Sequence, residues 1–273
     1  MRFIYRFEAM TTPCEVVIFE NDERKANECA TLILKEAKRL EKKYNYFDKN
    51  SYLSAINERK IKAIDPETKN LIKKSLHYYE QTEGVFDITI GTVKDIFKSS
   101  ETIEELLKRK SLLMPFVGCE HIKIKKNEIL FDNPHTKIDL GGIVKEYAVD
   151  KAVKILKKKR ISSAIVNFGG DIFVLGKKPN GEKFKVGIKD PQNPQTFKTF
   201  VELENRAVAT SASYERSSII EDKKFSHIIS KSDLAKPPLS VSVISPSCME
   251  SGVFSTALMI DPSIPVKYET IIL

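Results

Sequence analysis

Glycine and proline are sparse in this chain, 11 and 12 among 273 residues, which excludes collagen-like, linker-like and low-complexity readings. Cysteine is rarer still. Cys14, Cys29, Cys119 and Cys248 are scattered with no C-x-x-C pair, which argues against a zinc site or a disulfide scaffold and for a reducing compartment. No uninterrupted apolar run approaches the ~20 residues that a membrane helix needs. The opening MRFIYRFEAM carries Arg2 and Arg6 but no apolar h-region and no small-residue cleavage site. As written, the chain therefore reads as cytoplasmic, or as periplasmic and membrane-associated if a leader was trimmed.

Core-forming residues are plentiful. Hydrophobic side chains make up 41%, with nine Tyr and fifteen Phe, so a disordered chain is excluded. A mass of 31.0 kDa suits one domain over residues 1–273, or two intimately packed α/β subdomains within it. Lys and Arg outnumber Asp and Glu by 45 to 37, giving +8 and a pI near 9.1, which permits an anionic partner. The densest basic stretch, KAVKILKKKR at 151–160, sets its charges between apolar residues at helical spacing. That is the pattern of a solvated helix face. A nucleic-acid surface would also interleave aromatics with Arg, so no nucleic acid is expected as a partner.

Residues 1–19 alternate apolar and polar side chains and predict two strands around a turn at Thr12-Pro13. Apolar positions at i, i+3 and i+4 predict helices over 23–43, about 65–82 and about 143–159, with a short one over 102–109. Residues 121–131 read as a hairpin turning at Lys126-Asn127. Strands are expected at 163–168 and 172–175, and Asn180-Gly181 predicts a hairpin whose returning strand is 184–188. Further strands fall at 198–209, 239–246 and 267–273, with a helix over 247–259. Hairpin-joined strands with helices between groups of them imply an α+β fold of mixed, mostly antiparallel sheets with packed helices.

Five short segments could carry chemistry. In Asp139-Leu140-Gly141-Gly142-Ile143-Val144-Lys145, two glycines before a helix bare the backbone to a ligand, and the helix start attracts anions. Lys145 is oddly placed there, because the helix dipole gives a first-turn cation no reward. Asn167-Phe168-Gly169-Gly170-Asp171 is a second small-residue turn, ending in a carboxylate, or a plain β-turn. Gly84-Val85-Phe86-Asp87 reads equally as a ligand wall or as a core Phe beside a helix-capping Asp. Hydroxyls crowd Ala209-Thr210-Ser211-Ala212-Ser213 and Ser255-Thr256, and His227 sits on an apparent strand at Ser226-His227-Ile228. A Thr inside a helix can merely bond back to its own carbonyls.

Taken together and in order, these segments resemble the ApbE family, flavin transferases that move FMN from FAD onto a Thr or Ser of an acceptor protein. The resemblance also runs through Met10-Thr11-Thr12, Asn50-Ser51-Tyr52-Leu53-Ser54-Ala55-Ile56-Asn57, Val186-Gly187-Ile188-Lys189-Asp190-Pro191 and Ala207-Val208. It implies an ApbE-like, T-fold-related α+β architecture, FAD as ligand, Mg²⁺ as metal and AMP as leaving group. The acceptor it implies is a protein such as a membrane redox-complex subunit. By position, the resemblance places Met10, Val85, Phe86, Asp87 and Ile228 around FAD, with Phe47 stacking near the flavin. Asp139 and Lys145 would contact the adenosine–diphosphate part. The Gly142 carbonyl and the Thr256 hydroxyl would hold Mg²⁺, and Lys145 and His227 would be catalytic. A hard cation with oxygen ligands plus a lysine would neutralise a pyrophosphate under attack. A neutral histidine could take the proton from the acceptor hydroxyl.

The chain also departs from that pattern. Gly252 stands four residues before Thr256, where the family usually has an Asp that holds Mg²⁺, and Glu146 and Thr11 replace customary glycines. Glu250 lies about 200° from Gly252 around a helix and is a poor substitute. The reading therefore carries two alternatives: an FAD-binding homologue with weakened catalysis, and a pyrophosphatase that gives FMN and AMP.

Overall fold

A computed structural model of the chain describes residues 1–193, 195–212, 217–221, 223–226 and 238–273. The alternating N-terminus forms β1 (Arg2–Ala9) and β2 (Thr12–Phe19), paired antiparallel from Arg2↔Phe19 to Ala9↔Thr12. Their turn lies at Met10 and Thr11, two residues earlier than the Thr12-Pro13 turn the sequence suggested. Pro13 is already in the ladder opposite Glu8. Met10 and Thr11 have φ of 54° and 58°, a left-handed pair of the kind hairpin twist favours but which Gly and Asn usually supply. The Met10 amide is held by Glu41 Oε1 at 2.7 Å.

Helix α1 (Glu23–Tyr44) starts where Asp22 accepts the amides of Arg24 and Lys25, and it buries Ala26, Cys29, Ile33, Ala37 and Leu40. Then come α2 (Tyr52–Asn57), capped by Ser51, and α3 (Pro66–Gln81), capped by Asp65 with proline in its first turn. The segment after Gly84 folds into two four-residue helices, α4 (Gly91–Lys94) and α5 (Ile96–Ser99), ahead of α6 (Ile103–Leu113). The hairpin of β3 (Ile122–Lys125) and β4 (Glu128–Phe131) follows, and then α7 (Val144–Lys158). On α7, Lys154, Lys157 and Lys158 face outward while Val144, Tyr147, Ala148, Ala152 and Leu156 face inward, as the helical spacing required.

The remaining strands are β5 (Ala164–Phe168), β6 (Asp171–Leu175), β7 (Phe184–Lys189), β8 (Phe197–Leu203) and β9 (Arg206–Ala212). After them come β10 (Ser217–Ile220), β11 (Lys223–Ser226), β12 (Ser240–Ser245), helix α8 (Cys248–Ile260) and β13 (Glu269–Ile272). The stretch expected as strand over 198–209 is broken into β8 and β9 by a turn at Asn205, whose φ is 52°.

A seven-stranded antiparallel sheet in the order β1-β2-β5-β6-β9-β12-β13 organises the fold. Strand β6 does not take β7 as its partner. Its second edge pairs with β9, Ile172 opposite Val208, and β7 pairs with β8 instead. The Asn180-Gly181 turn forms, but it leads the chain across the sheet rather than back along it. Successive residues of β6 point to opposite faces, so Phe173 and Leu175 join the core under α1, α7 and α8. Val174 packs on the other face with Phe184, Val186, Val201 and Leu203 of the β7–β8 hairpin. Helix α8 packs on β9 and β12 beside α7, which itself lies on β5 and β6, and ten of the thirteen residues of α8 are buried.

Candidate functional site

The site is built where the start of α7 meets the β1–β2 turn, the β5–β6 turn and α8. Ahead of α7, the Asp139 amide bonds to the Ile88 carbonyl at 2.7 Å. Asp139 Oδ1 accepts the Gly141 amide at 2.9 Å, and Oδ2 pairs with Lys94. Gly141 and Gly142 are exposed, and a methyl group on Gly142 would reach the Phe86 ring at 3.5 Å. No side chain caps α7, so its first turn presents backbone amides with the positive end of the helix dipole behind them. None of the described backbone amides donates to the Gly142 carbonyl.

Lys145 has a structural reason for its place. Its ammonium lies 2.7 Å from Asp171, whose side chain is 3% exposed. Asp171 is presented by the turn at Gly169 and Gly170, with φ of 62° and 97°. Glycine is required at 169, because a Cβ there would fall 2.1 Å from the Thr12 hydroxyl. The β1–β2 turn therefore closes on the β5–β6 turn, tied by the Gly169 amide to the Pro13 carbonyl at 3.0 Å.

Next to Lys145, the Glu146 side chain turns inward and is almost fully buried. Burial pushes its carboxyl well above the usual range, and the neighbouring Asp171 charge pushes it the same way, against the pull of Lys145. Glu146 Oε2 has no hydrogen-bond donor. Asp150, one turn on, is better served. It accepts the amides of Cys248 at 2.8 Å and Met249 at 3.1 Å, at the positive end of α8. From α8 and β9 come hydroxyls: Ser211 lies 2.8 Å from Ser255 and 3.1 Å from Thr256. Glu250 is engaged at the helix start with Ser247, its amide donating to the Ser247 hydroxyl at 3.2 Å and its carboxylate accepting from that hydroxyl at 3.2 Å.

On the other side of Gly142 stand the aromatic groups. Phe86 is buried, and Asp87 caps the following turn by accepting the Thr89 amide at 2.8 Å, so the segment holds the core Phe and helix-capping Asp that one of its two readings expected. Val85 packs partly buried at the core's edge. Phe47 is 53% exposed, stacked edge-on to Tyr46, with the ammonium groups of Lys94 and Lys98 4.8 Å and 3.5 Å from its ring centroid. Lys94 joins the Phe47 ring to Asp139, a bridge the sequence did not signal. Asp171 could have been found, since it ends a glycine pair. Glu146 could not, because its partners lie far along the chain. His227 and Ile228 fall outside the described residues.

Among the described residues, no group of three or more His, Cys, Asp and Glu side chains is placed to hold a metal. The oxygen donors to weigh are the bare Glu146 Oε2, the Gly142 carbonyl ahead of α7 and, on α8, the Thr256 hydroxyl, which lies 3.1 Å from Ser211. Oxygen donors with an orphaned, buried carboxylate atom suit a hard divalent cation such as Mg²⁺.

Fold and site together define an α+β protein with an uncapped start of α7, Lys145 paired to the buried Asp171, and Lys94 bridging Asp139 to the exposed Phe47 ring. The ApbE family model matches residues 10–264, and the chain belongs to the ApbE family. It is 27% identical over 229 residues to the FAD:protein FMN transferase of Vibrio cholerae, covering 78% of this chain and 67% of that one. It is 28% identical over 237 residues to the Chlamydia pneumoniae protein of the same name, covering 79% and 71%. Among solved structures, the Thermotoga maritima ApbE protein superposes with a TM-score of 0.88 at 26% identity, over 100% of this chain and 94% of that one. The Vibrio cholerae flavin transferase ApbE superposes at 0.80, with 21% identity over 100% and 97%. The expected family and α+β fold are thereby established.

Proposed function

We propose that the chain is an FAD:protein FMN transferase, which joins the FMN half of FAD to a Thr or Ser hydroxyl of an acceptor protein and releases AMP. The observation that carries this reading is the uncapped start of α7, with Gly141 and Gly142 bared and Lys145 beside them, in a chain of this family. The amides and Lys145 would hold the diphosphate, Asp139 would face the adenosine side, and Met10, Val85, Phe86 and Asp87 would bound the ligand. Phe47, exposed beside two lysines, offers a face for the isoalloxazine ring. In the reaction the acceptor oxygen forms a bond to the FMN phosphorus, and the bond from that phosphorus to the bridging oxygen breaks. AMP leaves with the electron pair, and the hydroxyl proton goes to a base, the role the family resemblance gives to His227.

The Gly142 carbonyl, Thr256 and the acidic oxygen beside them would hold Mg²⁺, which when bound offsets the charge growing on the leaving phosphate. Lys145, oriented by Asp171, would add its own positive charge to the diphosphate. The test is incubation with FAD, Mg²⁺ and an acceptor protein carrying a flavinylated-type Thr. A flavin that stays on the acceptor after denaturation supports the reading. FMN and AMP released in solution, with no labelled acceptor, would favour pyrophosphatase action instead.

A further inference from the structure

Gly252 and Glu146 occupy one space. A Cβ built on Gly252 would lie 2.4 Å from Glu146 Cγ and 2.9 Å from its Cδ. No side chain can therefore stand at 252 while Glu146 keeps its place, and the carboxyl of Glu146 fills the volume that such a side chain would enter. The two residues belong to different helices, α7 and α8, packed against each other. Thr256 follows Gly252 by one turn on the same face of α8, and Gly142 precedes Glu146 by four residues at the mouth of α7.

The neighbouring charges are accounted for. Lys145 pairs with Asp171, and Asp150 is taken by the α8 amides. Glu146 Oε2 has no hydrogen-bond donor, in a residue 7% exposed, beside an Asp171 charge that disfavours its ionisation. A buried carboxylate in that state needs a proton or a cation. We propose that Glu146 supplies, from α7, the carboxylate that holds a divalent cation at the α7–α8 contact, together with the Gly142 carbonyl and the Thr256 hydroxyl. The chain thus keeps an acidic ligand in this volume although position 252 is glycine. The cation's remaining partner, the FAD diphosphate, rests on the proposed function.

Binding of Mn²⁺ to the whole protein, read from the electron paramagnetic resonance of free Mn²⁺, tests this with and without FAD. FAD affinity is measured separately in EDTA, so that a failure of the flavin reading shows up on its own. Wild type should deplete free Mn²⁺, and Glu146→Gln, which keeps the shape, should bind it at least ~tenfold more weakly. Glu146→Gly should be equally weak. The double variant Glu146→Gly/Gly252→Asp should regain most of the binding, because removing Cγ opens the space that Cβ at 252 requires. Gly252→Asp alone should lower the melting temperature by forcing the two helices apart. Unchanged Mn²⁺ affinity in Glu146→Gln overturns the proposal. If Glu146→Gln does not fold, failure of the double variant to recover binding overturns it instead.

Discussion

Replacing Asp171 with Asn probes how the buried charges at the start of α7 are balanced. Asp171 is 3% exposed and 2.7 Å from the Lys145 ammonium, itself 23% exposed, so Asp171→Asn removes the buried anion of that pair. Breaking such a pair from one side costs about 3–5 kcal/mol. The full cost should not appear, because Glu146 sits beside both groups and burial, then the Asp171 charge, raise the pKa of its carboxyl. Without that charge Glu146 ionises more readily and replaces Asp171 as the counter-ion of Lys145. A charge-assisted contact of this kind returns about 1.5–3 kcal/mol, leaving a net loss of at most about 3.5 kcal/mol. In a Glu146→Gln background no replacement carboxylate exists, and the same Asp171→Asn change should cost the larger amount. Urea unfolding of the four proteins at neutral pH in EDTA completes the cycle. Equal costs in the two backgrounds, within about 0.5 kcal/mol, would refute the shared-charge reasoning.

Two further perturbations test the frame around the site. Glu67 receives Arg39 at 2.8 and 2.7 Å and Lys43 at 2.9 Å, joining α1 to α3. Burial pushes its carboxyl up, but these hydrogen bonds outweigh it and bring the pKa down to about 2. A depressed carboxylate adds stability above its unfolded pKa of 4.5 and loses it as pH falls through about 2. Glu67→Gln should therefore cost about 1 kcal/mol or less at neutral pH after solvent screening, and should flatten the acid side of the stability profile. An unchanged acid slope would contradict this. At the β6 exit, Gly176 has φ of 67°, and a Cβ there would lie 2.0 Å from the Ser162 carbonyl oxygen. Gly176→Ala should destabilise by about 2–4 kcal/mol in thermal unfolding, and a melting point equal to the parent's would show that the backbone yields freely.

The long helices were legible because they carry both period and punctuation. Asp22 begins α1, Asp65-Pro66 begins α3 and Ser247 begins α8, and each apolar stripe is the buried face. The β1–β2 turn was misplaced because Met10 and Thr11 adopt left-handed geometry without glycine, held by a contact from Glu41 that lies 31 residues away. The β7 partner was misjudged because a turn fixes a local reversal, while the choice of edge is made by β9 occupying β6. Helices α4 and α5 are too short to show a period. At the site, Gly141-Gly142, Lys145 and Gly169-Gly170 announced themselves by composition. Glu146 and Gly252 looked like two separate departures from the family pattern, and only the packing of α7 on α8 shows that they are one exchange of volume.

The most direct measurement is a calorimetric titration of the intact protein with FAD, repeated on Lys145→Met. Saturable binding at one FAD per chain, clearly weakened by removing the lysine charge, is the predicted result. A flat titration at saturating FAD, or affinity indifferent to Lys145, would contradict a diphosphate held at the start of α7.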